Sequence, residues 1–193
     1  MFNIDLMNIF EGLVRNYPNF NLTTESKKND ILKKELNYIS RVGEILGYSS
    51  ILTGINDENK NITNKIEIEW RNYDDKTGVS KEVFLYFSQE LDLMQDISAI
   101  MSLVNIINNK SETEAFIQIL EVPSKERINY LNKILYDCNR FNEVDVLIIY
   151  KVSNPKDKSS NYYSYLFEEG KLIKQKNSHL YYDRLGFLKM RFV

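Results

Sequence analysis

Lys65-Ile66-Glu67-Ile68-Glu69-Trp70, then a polar turn, then Val83-Phe84-Leu85-Tyr86-Phe87: this stretch decides how the fold is read. In its first half apolar and acidic residues alternate. A strand with that period of two sends Ile66, Ile68 and Trp70 to one face and Glu67 and Glu69 to the other. The second half is apolar on both faces, as in a central strand covered on both sides. A half-exposed strand beside a central one predicts a sheet with helices packed against it.

Upstream, Ile4, Leu6, Met7, Phe10, Leu13 and Val14 recur at helical spacing before Pro18. A second, longer helix is expected from an N-cap at Thr24, with Ile31, Leu32, Leu36, Ile39, Val42, Ile45 and Leu46 on its apolar face and an end at Gly47. Ser49 to Ile55 reads as a strand, Asn56 to Asn64 as a loop, and Asn72 to Gly78 as a turn.

Downstream, Asp92 with Gln95 predicts the start of a helix reaching about Asn108, apolar around more than one stripe and therefore the most buried in the molecule. Ala115 to Val122 is a strand stopped by Pro123, Ser124 caps a helix, and Val144 to Val152 is an apolar strand. Together they predict a parallel strand-helix-strand unit. Glu169-Gly170 between Tyr162–Glu168 and Lys171–Lys176 is a hairpin signal.

The expected fold class is α/β. A mixed central sheet, an antiparallel meander followed by a parallel strand-helix-strand, carries flanking helices and a C-terminal β-rich extension. The expected divisions of one compact domain are residues 1–22 (a helix packing on the body), 23–153 (the α/β core) and 154–193 (hairpin and extension).

Composition narrows the function. The 193 residues carry 25 Lys and Arg against 27 Asp and Glu, a net charge of −2, so no global field draws the molecule to nucleic acid or an anionic membrane. One Cys excludes an internal disulfide and a Cys-rich metal cage. The N-terminus lacks the basic region of a signal peptide, and no stretch approaches a membrane span. A cytoplasmic protein without a membrane partner is expected.

The seven glycines are scattered singly, so there is no phosphate loop, dinucleotide fingerprint or nucleophile elbow. His179 is the only histidine, which removes multi-histidine zinc sites, and is expected in a solvated tail. Cys138 lies on the apolar stripe of its helix, where burial keeps a thiol unreactive.

Carboxylates remain. A helix bearing Glu35, Gly47-Tyr48, a meander with Glu67-Ile68-Glu69-Trp70 on its second strand, a buried helix and a parallel strand-helix-strand form an order that resembles the restriction-endonuclease-like superfamily, the PD-(D/E)xK nucleases. In that family a second-strand carboxylate and a third-strand D/E-x-K bind Mg²⁺ and activate water, often with a Glu from the first helix. The resemblance matches Glu67 to the second-strand acid and metal ligand, and Glu35 to the helix Glu. The third strand departs from the pattern: Leu85-Tyr86-Phe87 and Tyr86-Phe87-Ser88 offer neither acid nor Lys, and Gln89-Glu90 has no Lys after it. The resemblance therefore implies a degenerate nuclease without a cofactor. The alternative is an active Mg²⁺-dependent nuclease whose site has migrated, with Glu35, Glu67 and Glu69 catalytic and Glu90 as a further acid. Glu67 and Glu69 also suit the solvated side of an amphipathic strand.

From Lys171 to Val193, six cations (Lys171, Lys174, Lys176, Arg184, Lys189, Arg191) face Asp183 alone, a local formal charge of +5, interleaved with Tyr181 and Tyr182. Cations for phosphates and aromatic faces for bases are what a nucleic-acid surface requires. The functional expectation is a non-catalytic, nuclease-like binding or accessory protein whose partner is a protein or a nucleic acid. A small inhibitor or accessory subunit from a mobile element is a further alternative.

Overall fold

Eight strands form one mixed sheet in the computed structural model, and their order across the sheet is their order along the chain. The structure describes residues 4–56, 61–73, 80–90 and 92–193. The meander β1 (Ser49–Asn56), β2 (Asn61–Tyr73) and β3 (Ser80–Glu90) is antiparallel. Then β3, β4 (Ala115–Glu121) and β5 (Asp145–Asn154) run parallel. Finally β6 (Ser159–Glu168), β7 (Lys171–Tyr182) and β8 (Leu188–Phe192) return to antiparallel pairing. Segment 154–193 thus continues the central sheet by three strands.

Helices cover both faces. α3 (Asp96–Asn109) and α4 (Lys125–Leu135) are successive crossovers stepping the same way across the sheet, so with the same hand they fall on the same face. α1 (Leu6–Asn16) and α2 (Lys28–Ile45) cover the other. Two cores result. Leu6, Phe10, Leu36 and Ile39 pack with Ile66, Ile68, Trp70 and Phe87 on the α1/α2 side. On the opposite side Ile100, Leu103, Leu131 and Leu135 pack with Tyr86, Phe116, Ile148 and Tyr150. β2 gives its apolar face to the first core alone, while β3, β4 and β5 send alternate residues into both.

Trp70 is fully buried and stacks on Tyr48, ring centroids 6.0 Å apart. α2 crosses it closely enough that a Cβ at Gly43 would lie 2.6 Å from the indole. That close seating brings Glu35, two turns earlier on α2, down onto the sheet. α2 ends as expected, with Gly47 at a φ of +91° just beyond it. The Glu169-Gly170 turn has φ values of 48° and 69°, the left-handed pair that a two-residue hairpin takes.

Three local expectations need correction. The N-cap of α2 is Lys27, not Thr24, because Thr23 bridges to Phe187 and its neighbours form a turn first. The most buried helix is α1, not α3: α3 keeps Ile97 and Met101 exposed, as are Leu93 and Met94 just before it. His179 lies within β7, not in a solvated tail. Of the Asn56–Asn64 segment, Asn61 onward belongs to β2, and 57–60 lie outside the described residues, as do 74–78 of the Asn72–Gly78 turn. Among the described residues no helix is long and apolar enough to cross a membrane.

Candidate functional site

On the α1/α2 side, the carboxyl ends of the parallel strands carry polar residues where the core stops. The same strand alternation that places Phe87, Ile119 and Ile149 in the core puts Gln89, Glu121 and Lys151 on that face, two residues further along each strand. Tyr162 of β6 is paired with Lys151. Glu35 descends onto them from α2.

Glu35 is 5% exposed and accepts a hydrogen bond at Oε1 from the Tyr17 hydroxyl, 2.8 Å away. Gln89 and Tyr162 hydrogen-bond to it too. Burial pushes its carboxyl above the usual range, against the opposing pull of Lys151 and these donors. The Tyr17 and Tyr162 hydroxyls are driven well up, first by burial and then by the Glu35 charge. Beside them, Glu121 accepts from the Ser153 hydroxyl at Oε1, and Lys28 stands 3.9 Å from its Oε2. One atom is unmatched: the buried Oε1 of Gln89 has no hydrogen-bond partner. The cluster therefore ties α2, the turn after α1 and four strands together. It also brings two carboxylates and an orphaned amide oxygen to a place where open α/β sheets commonly hold ligands.

Glu67 and Glu69 lie on the other side of the sheet from Glu35, so the three acids do not converge. Glu67 is opposite Ser88 and next to Tyr86, whose hydroxyl is raised by burial and by the Glu67 charge. Arg71 Nε donates to Glu69 Oε2 at 2.8 Å, and Lys110 pairs with its Oε1. Burial raises the Glu69 carboxyl, but Lys110 and Arg71 together bring it below the usual value. No group of three or more His, Cys, Asp or Glu side chains among the described residues could hold a metal. Cys138 is buried and its thiol is raised by desolvation, as expected, but it lies beyond the end of α4 and not on the helix.

The basic C-terminal segment divides by strand face. Lys174 and Lys176 turn toward α1. Lys176 pairs with the buried Glu11, and Lys174 Nζ is 3.4 Å from Asp5 Oδ2 and 3.6 Å from Glu11 Oε1. The hydrogen bond from Lys176 outweighs burial and holds the Glu11 carboxyl below its usual value. Tyr182 packs on the same core. Lys171 sits at the β6–β7 turn and Arg184 is exposed in the β7–β8 turn.

Tyr181, Lys189 and Arg191 share the opposite face. His179 stacks on Tyr181 with centroids 5.6 Å apart and planes 9° from parallel, and the Arg191 guanidinium lies 5.0 Å from the Tyr181 centroid. His179 Nδ1 is 2.9 Å from Asn161 Oδ1. Toward α4, the Lys125 ammonium stands 5.2 Å from the Tyr163 ring. None of the β6, β7 or β8 positions on this face, from Asn161 through His179 to Arg191, is acidic. Asp157, close enough to His179 to feel its charge, is at the β5–β6 turn.

The sequence reasoning missed Gln89, Glu121, Lys151, Tyr17 and Tyr162 in the buried cluster, and His179, Tyr163 and Lys125 on the open face. Extending the period of two through residues 177–182 would have separated Lys174 and Lys176 from Tyr181. Nothing local marks the convergence of Glu35 with β3, β4 and β5.

No protein-family model matches the chain, and no curated protein does. Among solved structures, 82% of the chain is similar to the central domain of yeast acetyl-CoA carboxylase, at 10% identity and a TM-score of 0.41. The match covers 26% of that protein's chain, and a likeness so slight defines neither fold nor function.

Proposed function

We propose that this chain is a non-catalytic binding protein of nuclease-like ancestry that holds single-stranded nucleic acid on the open face of β6, β7 and β8. The observation that carries this is the Tyr181 ring in contact with both His179 and Arg191 on a strand face without acids. Flat rings accept unpaired bases by stacking, and Lys189, Arg191 and Lys125 supply phosphate contacts. With a net charge of −2 the attraction is local, so binding weakens steeply with salt. The order of helix, meander, helix and parallel strand-helix-strand supports the restriction-endonuclease-like ancestry. The empty third-strand positions support loss of the chemistry. Fluorescence anisotropy with labelled single-stranded and duplex DNA and RNA tests the reading. Tight binding of single strands at low salt is expected, and no binding to any of them would refute it.

A second reading has its own observation. Gln89, with its unpartnered oxygen, and Lys151 lie against Glu35, Tyr162 feels the charges of both Glu35 and Glu121, and Mg²⁺ in nucleases is held by one or two carboxylates plus substrate phosphates. In this reading the chain is a Mg²⁺-dependent nuclease with a migrated site, and Glu67 and Glu69 take no part. Metal-dependent cleavage that disappears in Glu121→Ala would establish it over the binding-only function.

A further inference from the structure

Between the end of α1, the turn Tyr17–Phe20 and the outward side of α2 lies an open cleft of about 870 Å³. It is on the α1/α2 side of the molecule, away from the β6–β8 face. Phe20 and Tyr38 line it, with ring centroids 6.5 Å apart and planes inclined by 56°. The Tyr38 ring is fixed there because its hydroxyl donates to the Ile9 carbonyl at 3.1 Å, and a Cβ at Gly12 would lie 2.1 Å from that hydroxyl. Asn19 of the turn and Asn37 of α2 bring side-chain amides to its lining.

Lys34 and Arg41, two helical turns apart, lie on the same side of α2 as Tyr38 and line the cleft as well. Neither has an ion-pair partner among the described residues. Glu44, three residues beyond Arg41, is the one acid in this lining. An aromatic floor, amides that both donate and accept, and two unpaired cations match a planar heteroaromatic group carrying a phosphate. A neutral sugar would leave both cations without a use, and a greasy peptide would bury the amides unmatched.

We propose that this cleft binds a nucleoside monophosphate unit, its base against Phe20 and Tyr38, its base edge toward Asn19 and Asn37, and its phosphate between Lys34 and Arg41. The site is separate from the β6–β8 face and does not depend on its function. The unit comes either as a free nucleotide or as the phosphorylated end of a strand, which share this chemistry.

Equilibrium dialysis of the full chain against labelled AMP, with GMP, CMP, UMP, adenosine and inorganic phosphate as competitors, tests it. AMP should bind and be displaced by other nucleotides better than by adenosine or phosphate alone. Lys34→Glu with Arg41→Glu should weaken AMP by about tenfold or more, since both lost contacts are charge-assisted. Both side chains are exposed, so the melting temperature should be unchanged, and Asn37→Ala should weaken AMP in a chain equally well folded. Tyr181→Ala should leave AMP binding intact while weakening strand binding on the other face. Displacement of AMP by a 5′-phosphorylated oligonucleotide, but not by its 5′-hydroxyl form, assigns the unit to a strand end; no displacement assigns it to a free nucleotide. Absence of AMP binding at millimolar concentration overturns the proposal, as does equal displacement by inorganic phosphate, or loss of AMP in Tyr181→Ala.

Discussion

The buried cluster around Glu35 and the open face around Tyr181 contain similar chemical groups, tyrosines and cations, but use them in opposite ways. Under α2, Tyr17, Tyr162 and Gln89 all turn to one carboxylate with Lys151 near by, and bulk water is shut out. Each group there depends on the others, because an unmatched polar group in that setting costs its full desolvation. On the β6–β8 face, Arg191 and Lys189 lie over aromatic rings with solvent on the other side. Those cations lose little when a phosphate replaces water. Burial decides what a polar cluster contributes: inside, the groups stabilise and specify the fold, and outside they are free to bind.

The largest effect is expected at Glu35. Removing the carboxylate in Glu35→Ala strands three hydrogen-bonding partners and a nearby lysine, so unfolding in urea should show a loss of about 3 to 5 kcal/mol. A loss below about 1 kcal/mol would mean that the cluster is wetter than its burial implies.

On the open face, Tyr181→Ala and Arg191→Glu should each weaken single-strand binding by about 1 to 3 kcal/mol while moving stability by less than about 0.5 kcal/mol. Arg191→Glu should also flatten the salt dependence by about one unit of slope, read from anisotropy titrations at several salt concentrations. If either variant unfolds the chain, the two regions are not functionally distinct.

Two smaller effects sharpen the contrast. Because Glu35 is raised above 4.5 in the fold, the native state binds more protons than the unfolded chain between that value and the folded pKa. The Glu35 contribution to stability is therefore largest at or below pH 4.5 and falls as pH rises through the folded pKa. The lowered carboxylates, Glu11 and Glu69, act the other way and lose stability on acidification below 4.5. Chemical melts between pH 4.5 and 8 should fall less steeply in Glu35→Gln than in the parent chain; identical slopes would contradict the raised carboxyl. The smallest effect belongs to Lys176→Gln. It should cost about 1 kcal/mol through Glu11 and leave nucleic-acid affinity unchanged, because Lys176 faces α1. Weakened binding would return Lys176 to the interface.

Much of this architecture was legible in the residues. The alternation of Ile66, Ile68 and Trp70 with Glu67 and Glu69 assigned both faces of β2, and the apolar runs before Pro123 and after Val144 marked the parallel unit. These are local signals, set by side-chain periodicity and turn chemistry within a few residues. The same logic failed where a turn could be read as a cap, at Thr24, and where β7 was cut short at Lys176.

What the amino-acid sequence determined by itself, then, is the kind and direction of the elements, and that Glu67 and Glu69 cannot share a face with Trp70. Only the tertiary structure decided that Glu35 meets Gln89, Tyr162 and Lys151, and that six clustered cations divide between α1, two turns and an open surface. The physical reason is distance along the chain. Register between strands and the seating of α2 against Trp70 are long-range packing outcomes, settled when the whole sheet closes over its two cores.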